Sequence, residues 1–260
     1  MPTELSTAQH LEGLRAAMAA FVRYADRAGL TAAVPTCPDW NVRDLVAHQS
    51  MAHRWAAALL RDDTPGAVDP DAFEAAGREA NDPLEWLREG AAELAQTIEA
   101  APLDAHAIVF LNDAPAPRAF WARRQCHETT MHAVDALAAA LGREPDAGET
   151  WIDPVLAVDG IDELLGGFLT KPRSRLRSEE ELSLVVVPDD ADDWWAVSVG
   201  PGPAVTTRRT GPVAEGDVEL TGPAVELYLR LWNRTAAEPP AAGALARGGE
   251  RRRLTAISWT

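Results

Sequence analysis

Apolar residues recur at helical spacing through much of the first 140 positions, and beyond them the chain changes character. Residues 6–28 set Leu11, Leu14, Met18, Phe21, Val22 and Ala25 along one helical stripe, closed by Gly29. After the turn VPTCPDW, Asn41 reads as an N-cap, with Asp44 three residues on where a capping box has its acid. That second helix runs through DLVAHQSMAHRWAAALL to about Arg61, and the stretch DDTPGAVDP reads as a loop. A third helical region covers about 70–100, with a fresh start signal at Asp82-Pro83. Residues 101–117 form a loop with a short apolar centre, AIVFL; a fourth long helix follows from about Pro117 to Leu141, ended by Gly142. Four long helices with moderate connections predict a four-helix bundle, a scaffold that builds metal sites from side chains on facing helices.

The second half has a different texture. Asp153-Pro154 opens one more helix, to about Leu169, and the linker KPRSRLRSEE, basic then acidic, reads as exposed. Short β-rich runs follow (LSLVVVP, WWAVSVG, the VTTRR region, DVELTG), separated by Gly, Pro and Asp. The helix PAVELYLRLWNR closes this part, and RRRLTAISWT is expected to add a terminal strand. The expected class is α+β: a helix bundle over residues 1–148, then a small α+β domain over 149–260.

A net charge of −16 argues against nucleic acid and anionic membranes as partners, because both need a basic surface. Two cysteines, Cys37 and Cys126, are no disulfide framework and fit a reducing cytoplasm. The first residues lack the basic start and continuous apolar core of a signal peptide, and no run of about 18 apolar residues occurs. The expectation is a cytoplasmic protein, monomeric or homodimeric, that acts on small molecules.

The chemistry concentrates in CHETTMH, residues 126–132. A zinc-protease helix places two histidines four apart; His127 and His132 are five apart, about 140° around the helix. Glu128 and His132, at i and i+4, do share a face. Trp121, Arg124, Gln125 and Asp135 fall within about 60° of Glu128, an unusually polar inward face. Of the other histidines, His10 reads as a surface residue, His106 lies in a loop, and His53 is on a different face from His48. His48 sits in an apolar stripe of Leu45, Val46, Met51, Ala52 and Trp55, where it needs a partner. His48, Glu128 and His132 would give two imidazoles and one carboxylate, a three-ligand set with an open fourth position. Asp44 and Asp135 lie one turn away, as acceptors for the outer imidazole N–H groups. Spacing leaves the alternative open that these histidines are satisfied within the bundle without an ion. Cys126 points away from Glu128, Cys37 could approach the bundle mouth, and both read as structural.

VPTCPDWNVRDLVAHQSMAHRW resembles the N-terminal signature of the mycothiol-dependent maleylpyruvate isomerase family of actinobacteria, a P-x-W turn followed by V-R-D-L-V-x-H. WARRQCHETTMHAVDAL resembles its second signature, an arginine, then E-x-x-x-H, then an aspartate three residues on. GDVELTGPAVELYLRLWNR is similar to the end of its C-terminal domain. The resemblance implies a DinB-like metal-binding bundle in which His48, Glu128 and His132 bind a divalent metal, zinc foremost. It also implies mycothiol as co-substrate, held as a metal-bound thiolate that attacks an electrophilic substrate, in an isomerase or a thiol S-transferase. Arg234, in LWNR, is the position carried over as an arginine for anionic groups; Arg124 is a second candidate holder of thiol or substrate carboxylates. A non-catalytic protein that senses a thiol or small molecule on the same fold is the alternative.

Overall fold

A computed structural model describes residues 4–61, 68–112 and 114–235. The expected strand in RRRLTAISWT lies outside the described residues. Backbone contacts divide the chain into two compact units, one built from residues up to 110 together with 114–145, the other from 111–112 and 146 onward.

The first unit is helical: α1 (Thr7–Ala28), α2 (Val42–Leu60), α3 (Pro70–Glu79), α4 (Pro83–Ala100) and α5 (Pro117–Leu141). Its boundaries have local causes. Ser6 and Gln9 form a capping box at the start of α1, as do Asn41 and Asp44 at α2. Pro70, Pro83 and Pro117 occupy first-turn positions, where a missing N–H costs nothing. Gly142, at φ 71°, ends α5 in the left-handed conformation that only glycine adopts freely. The third helical region expected from sequence is two helices, because Asp82 caps a new one and accepts from the Glu85 N–H.

α1 packs along α5, α2 along α4 and α5, and α3 lies across α2. The bundle is therefore α1, α2, α4 and α5, with α3 added outside. Leu14, Phe21, Leu45, Leu87, Leu94, Ile98, Phe120 and Trp121 are fully buried in it. An aromatic knot closes one end: Trp121 stands edge-on to Trp55 at 5.4 Å and to Phe120 at 5.1 Å, and its Nε1 donates to the Ile108 carbonyl at 3.1 Å.

The second unit starts with α6 (Pro154–Asp162), which runs straight into a π-helical turn over Glu163–Phe168. Strands β1 (Leu182–Pro188), β2 (Asp193–Val199), β3 (Val205–Thr210) and β4 (Val218–Gly222) form a sheet in the order β3-β2-β1-β4. β1 pairs antiparallel with β2 and parallel with β4, so β2 and β3 make up the crossover between the parallel pair. Trp195 is buried in β2 and donates from Nε1 to Asp162 Oδ1 at 3.0 Å. α7 (Ala224–Leu231) packs on α6 and stops short of the expected Arg234. Asn233, at φ 59°, turns the chain left-handed, and the Arg234 N–H closes on the Leu229 carbonyl at 2.7 Å. The protein is thus α+β, a helical N-terminal domain followed by a domain with a small sheet. No helix among the described residues is long and apolar enough to cross a membrane.

Candidate metal centre

α2 and α5 face each other, and His48 on the first meets Glu128 and His132 on the second. One donor atom from each of the three can be chosen so that all lie within 4.8 Å of one another. Glu128 Oε1 is the hub: His132 Nε2 is 3.4 Å from it and His48 Nε2 is 3.8 Å from it. Around a tetrahedral ion with bonds of 2.0–2.1 Å, neighbouring ligand atoms lie about 3.3 Å apart. The donor set and its spacing fit a small divalent ion with little movement.

The surroundings prepare each group for that role. His132 Nδ1 pairs with Asp135 Oδ2 at 2.8 Å, so the ring proton sits at Nδ1 and Nε2 faces the cluster. Asp135 is fully buried and is itself held by Thr36 Oγ1, which donates to Oδ1 at 2.6 Å, and by Cys37 Sγ, 3.7 Å from Oδ2. Arg124 Nη2 donates to Glu128 Oε2 at 2.6 Å and leaves Oε1 for the cluster. Burial alone would push the Glu128 carboxyl up. The Arg124 guanidinium, with the nearby His132 and His48 imidazoles, outweighs it and holds the group well below the usual carboxylate range. Burial would also lower His132, but its hydrogen bonds to Asp135 and Glu128 prevail and raise it to about 9 in the metal-free protein. Asp135→Asn removes the carboxylate that orients the ring. It is expected to weaken divalent-metal binding about 10–100-fold, compared at or above pH 9 where the His132 proton competes least. A chelator-competition titration checks this.

Three participants were not singled out from sequence. Trp40, in the turn before α2, has its ring centroid 4.8 Å from that of His48 and 6.0 Å from that of His132, so it walls the cluster on one side. Its backbone is fixed by hydrogen bonds of Trp40 N–H to the Cys37 carbonyl and of Val34 N–H to the Trp40 carbonyl. The P-x-W turn was the available signal. Glu74 of α3 stands 3.8 Å from His48 Nδ1. His53 is fully buried one turn along α2, and its Nε2 is 2.8 Å from both Gln49 Nε2 and Thr129 Oγ1.

For Asp44 and His10 the expectation changes, and the structure places the remaining candidates. Asp44 does not reach His48; its carboxylate accepts from the Asn41 N–H at 3.1 Å and binds Arg78. Arg124, read as a holder of substrate carboxylates, spends its charge on Glu128 and is only 2% exposed. His10 is buried, not on the surface, with its ring 6.2 Å from and edge-on to that of His127. Cys126 is buried and Cys37 half-buried beside Asp135. Arg234 belongs to the second unit, where its Nη1 donates to the Trp232 carbonyl at 2.8 Å.

Fold and cluster together define a class: a helix bundle that converges two imidazoles and one carboxylate at its mouth, followed by a small α+β domain. The model of the mycothiol maleylpyruvate isomerase N-terminal domain matches residues 11–137, and that of the same family's C-terminal domain matches residues 155–256. The chain belongs to this family. Two solved structures share its fold. One is a mycothiol-dependent maleylpyruvate isomerase, at TM-score 0.59 and 16% identity over 92% of this chain and 99% of that one. The other is a variant of that enzyme with one histidine replaced by alanine, at TM-score 0.60 with the same identity and coverage. No curated protein matches the sequence.

Proposed function

We propose that the protein is a metal-dependent enzyme that uses mycothiol to isomerise a cis-configured, maleylpyruvate-like substrate, with His48, Glu128 and His132 as the metal ligands. The observation that carries this reading is the convergence of those three donors in a member of this family. A divalent ion there, zinc by its preference for such donors, supplies an open position at which a thiol loses its proton near neutral pH. Thiolate addition to one alkene carbon would move the alkene electron pair onto the conjugated carbonyl as an enolate and leave a single bond; rotation follows, and collapse of the enolate expels the same thiolate and restores the double bond in the trans form.

The protein's own groups prepare that position. Asp135 holds the Nδ1 proton of His132 and so aims Nε2 at the cluster, Arg124 keeps one oxygen of Glu128 occupied, and the Trp40 indole covers the histidines from one side. Arg234 is proposed, on the family resemblance, to hold a substrate carboxylate.

Because His132 is held protonated up to about 9 without metal, an incoming ion must displace that proton. Apparent metal affinity is expected to rise about tenfold per pH unit well below that value, roughly fiftyfold between pH 7 and 9. Chelator competition across that range, with proton release by calorimetry, measures it; a flat profile would show that His132 is not a ligand.

The function itself is tested by incubating metal-loaded protein with mycothiol and maleylpyruvate and following the cis-to-trans conversion. Conversion that needs both metal and mycothiol supports the isomerase. An accumulating thioether product would instead identify an S-transferase. Saturable thiol binding with no turnover of any electrophile would identify a sensing protein.

A further inference from the structure

The two imidazoles of the cluster are presented in the same way, but by different parts of the chain. Each directs Nε2 toward Glu128 Oε1 and Nδ1 toward a second carboxylate. For His132 that carboxylate is Asp135, three residues along the same helix. For His48 it is Glu74, on α3, with Oε2 3.8 Å from Nδ1. Asp44, on the same helix as His48, is engaged by Asn41 and Arg78.

Glu74 is held in place by three contacts. Gly77 lets α3 lie close against α2: a Cβ there would stand 3.1 Å from Ala47 Cα and 3.3 Å from Ala47 Cβ, tighter than ordinary packing. Ala47 precedes His48, and Gly77 is one turn beyond Glu74, so this close approach sets Glu74 over the imidazole. Arg43 Nη1, on α2, donates to the Arg78 carbonyl at 3.0 Å and fastens the end of α3. Arg78 Nη2 donates to Glu74 Oε1 at 2.7 Å while its Nη1 binds Asp44, which leaves Oε2 of Glu74 directed at His48. The pair is three-quarters buried, with side-chain exposures of 23% for His48 and 25% for Glu74. A gap of 3.8 Å exceeds a hydrogen bond, and a small rotation of a glutamate side chain closes it.

We propose that Glu74 is the positioning residue of His48, the counterpart of Asp135 for His132, and that α3 is mounted on the bundle by Gly77, Arg43 and Arg78 to deliver it. The inference rests on the reading of His48 as a metal ligand. Its consequence is that metal affinity depends on a helix that contributes no ligand.

The test measures cobalt(II) or zinc affinity by chelator competition in wild type, Glu74→Gln and Glu79→Gln, the latter an exposed carboxylate of the same helix, together with the thermal midpoint of each metal-free protein. Glu74→Gln is expected to weaken binding about 10–100-fold, with a small change in the midpoint because Arg78 is nearly half exposed and keeps Asp44 as a partner. Glu79→Gln is expected to leave metal affinity within about threefold, well under the loss expected from a carboxylate that supports a ligand. Unchanged affinity in Glu74→Gln, or an equal loss in both variants, would overturn the proposal. If wild type takes up no metal, the metal reading fails first, and that outcome is distinct from either of these.

Discussion

Arg124→Leu is expected to cost the metal-free protein about 3–5 kcal/mol, the usual result of removing one partner of a buried ion pair. Arg124 is 2% exposed and Glu128's side chain only 18%. Without the guanidinium the Glu128 carboxylate keeps its burial cost and loses the largest influence opposing it. The penalty has a pH signature. In wild type the depressed carboxyl contributes stability above its unfolded value, and that stability is lost as pH falls through the much lower folded value. In the variant the carboxyl takes up a proton more readily, so the difference from wild type should shrink toward acid. Urea unfolding at pH 7 and pH 4 measures both figures. Replacing both partners by leucine should restore much of the loss, because an apolar pair leaves no stranded charge.

Acid sensitivity near pH 6 is expected to trace largely to His53. Burial, with the Arg54 charge adding to it, pushes that imidazole down to about 3. Its geometry agrees: Nε2 lies 2.8 Å from both Gln49 Nε2 and Thr129 Oγ1, and Nδ1 has no hydrogen-bond partner among the described residues. A charged ring would carry a proton on both nitrogens and bury the Nδ1–H with no acceptor. A histidine with a lowered folded value contributes stability that is complete above about 6.5 and is lost as pH falls. The slope is about 1.4 kcal/mol per pH unit, reaching on the order of 4 kcal/mol by pH 3. His132 leaves this window clear. Its raised value makes a contribution that is present below 6.5 and lost only as pH rises through about 9. Chemical denaturation of wild type and His53→Gln between pH 6.5 and 5 should show the slope falling by about one proton in the variant. Equal slopes would mean that His53 becomes charged in the folded protein.

What could be read from sequence followed from periodicity, and what could not followed from lateral contacts. The stripe of Leu11, Leu14, Met18 and Phe21 identifies α1 and its buried face without reference to any other helix. The same stripe carried His10, four residues before Leu14, and its phase was the signal that this histidine is buried. Glu128 and His132 share a helix, so the 3.6-residue repeat places them on one face. His48 could be joined to them only through its apolar surroundings and the family resemblance. Asp135 was within reach of spacing because it is three residues from His132; Glu74 was not, because it approaches His48 from another helix. Spacing favoured Asp44 for that position, but its carboxylate is taken by the cap of α2 and by Arg78. Arg124 shows the same limit from the other side. Its position on the polar face was legible, but its engagement with Glu128 required the three-dimensional arrangement of both side chains. The helix expected to about Leu169 reaches Phe168 but changes to π geometry at Glu163, and the left-handed Asn233 follows a last helix shorter than expected; neither has a strong local sequence signal.

The most direct test of the central claim is the metal content of purified, extensively dialysed wild type beside His48→Ala, Glu128→Ala and His132→Ala, each shown to be folded by circular dichroism. About one divalent ion per chain in wild type and little or none in the three variants is the result expected of a three-ligand site. Full occupancy in the folded variants, or none in wild type after reconstitution, would contradict it.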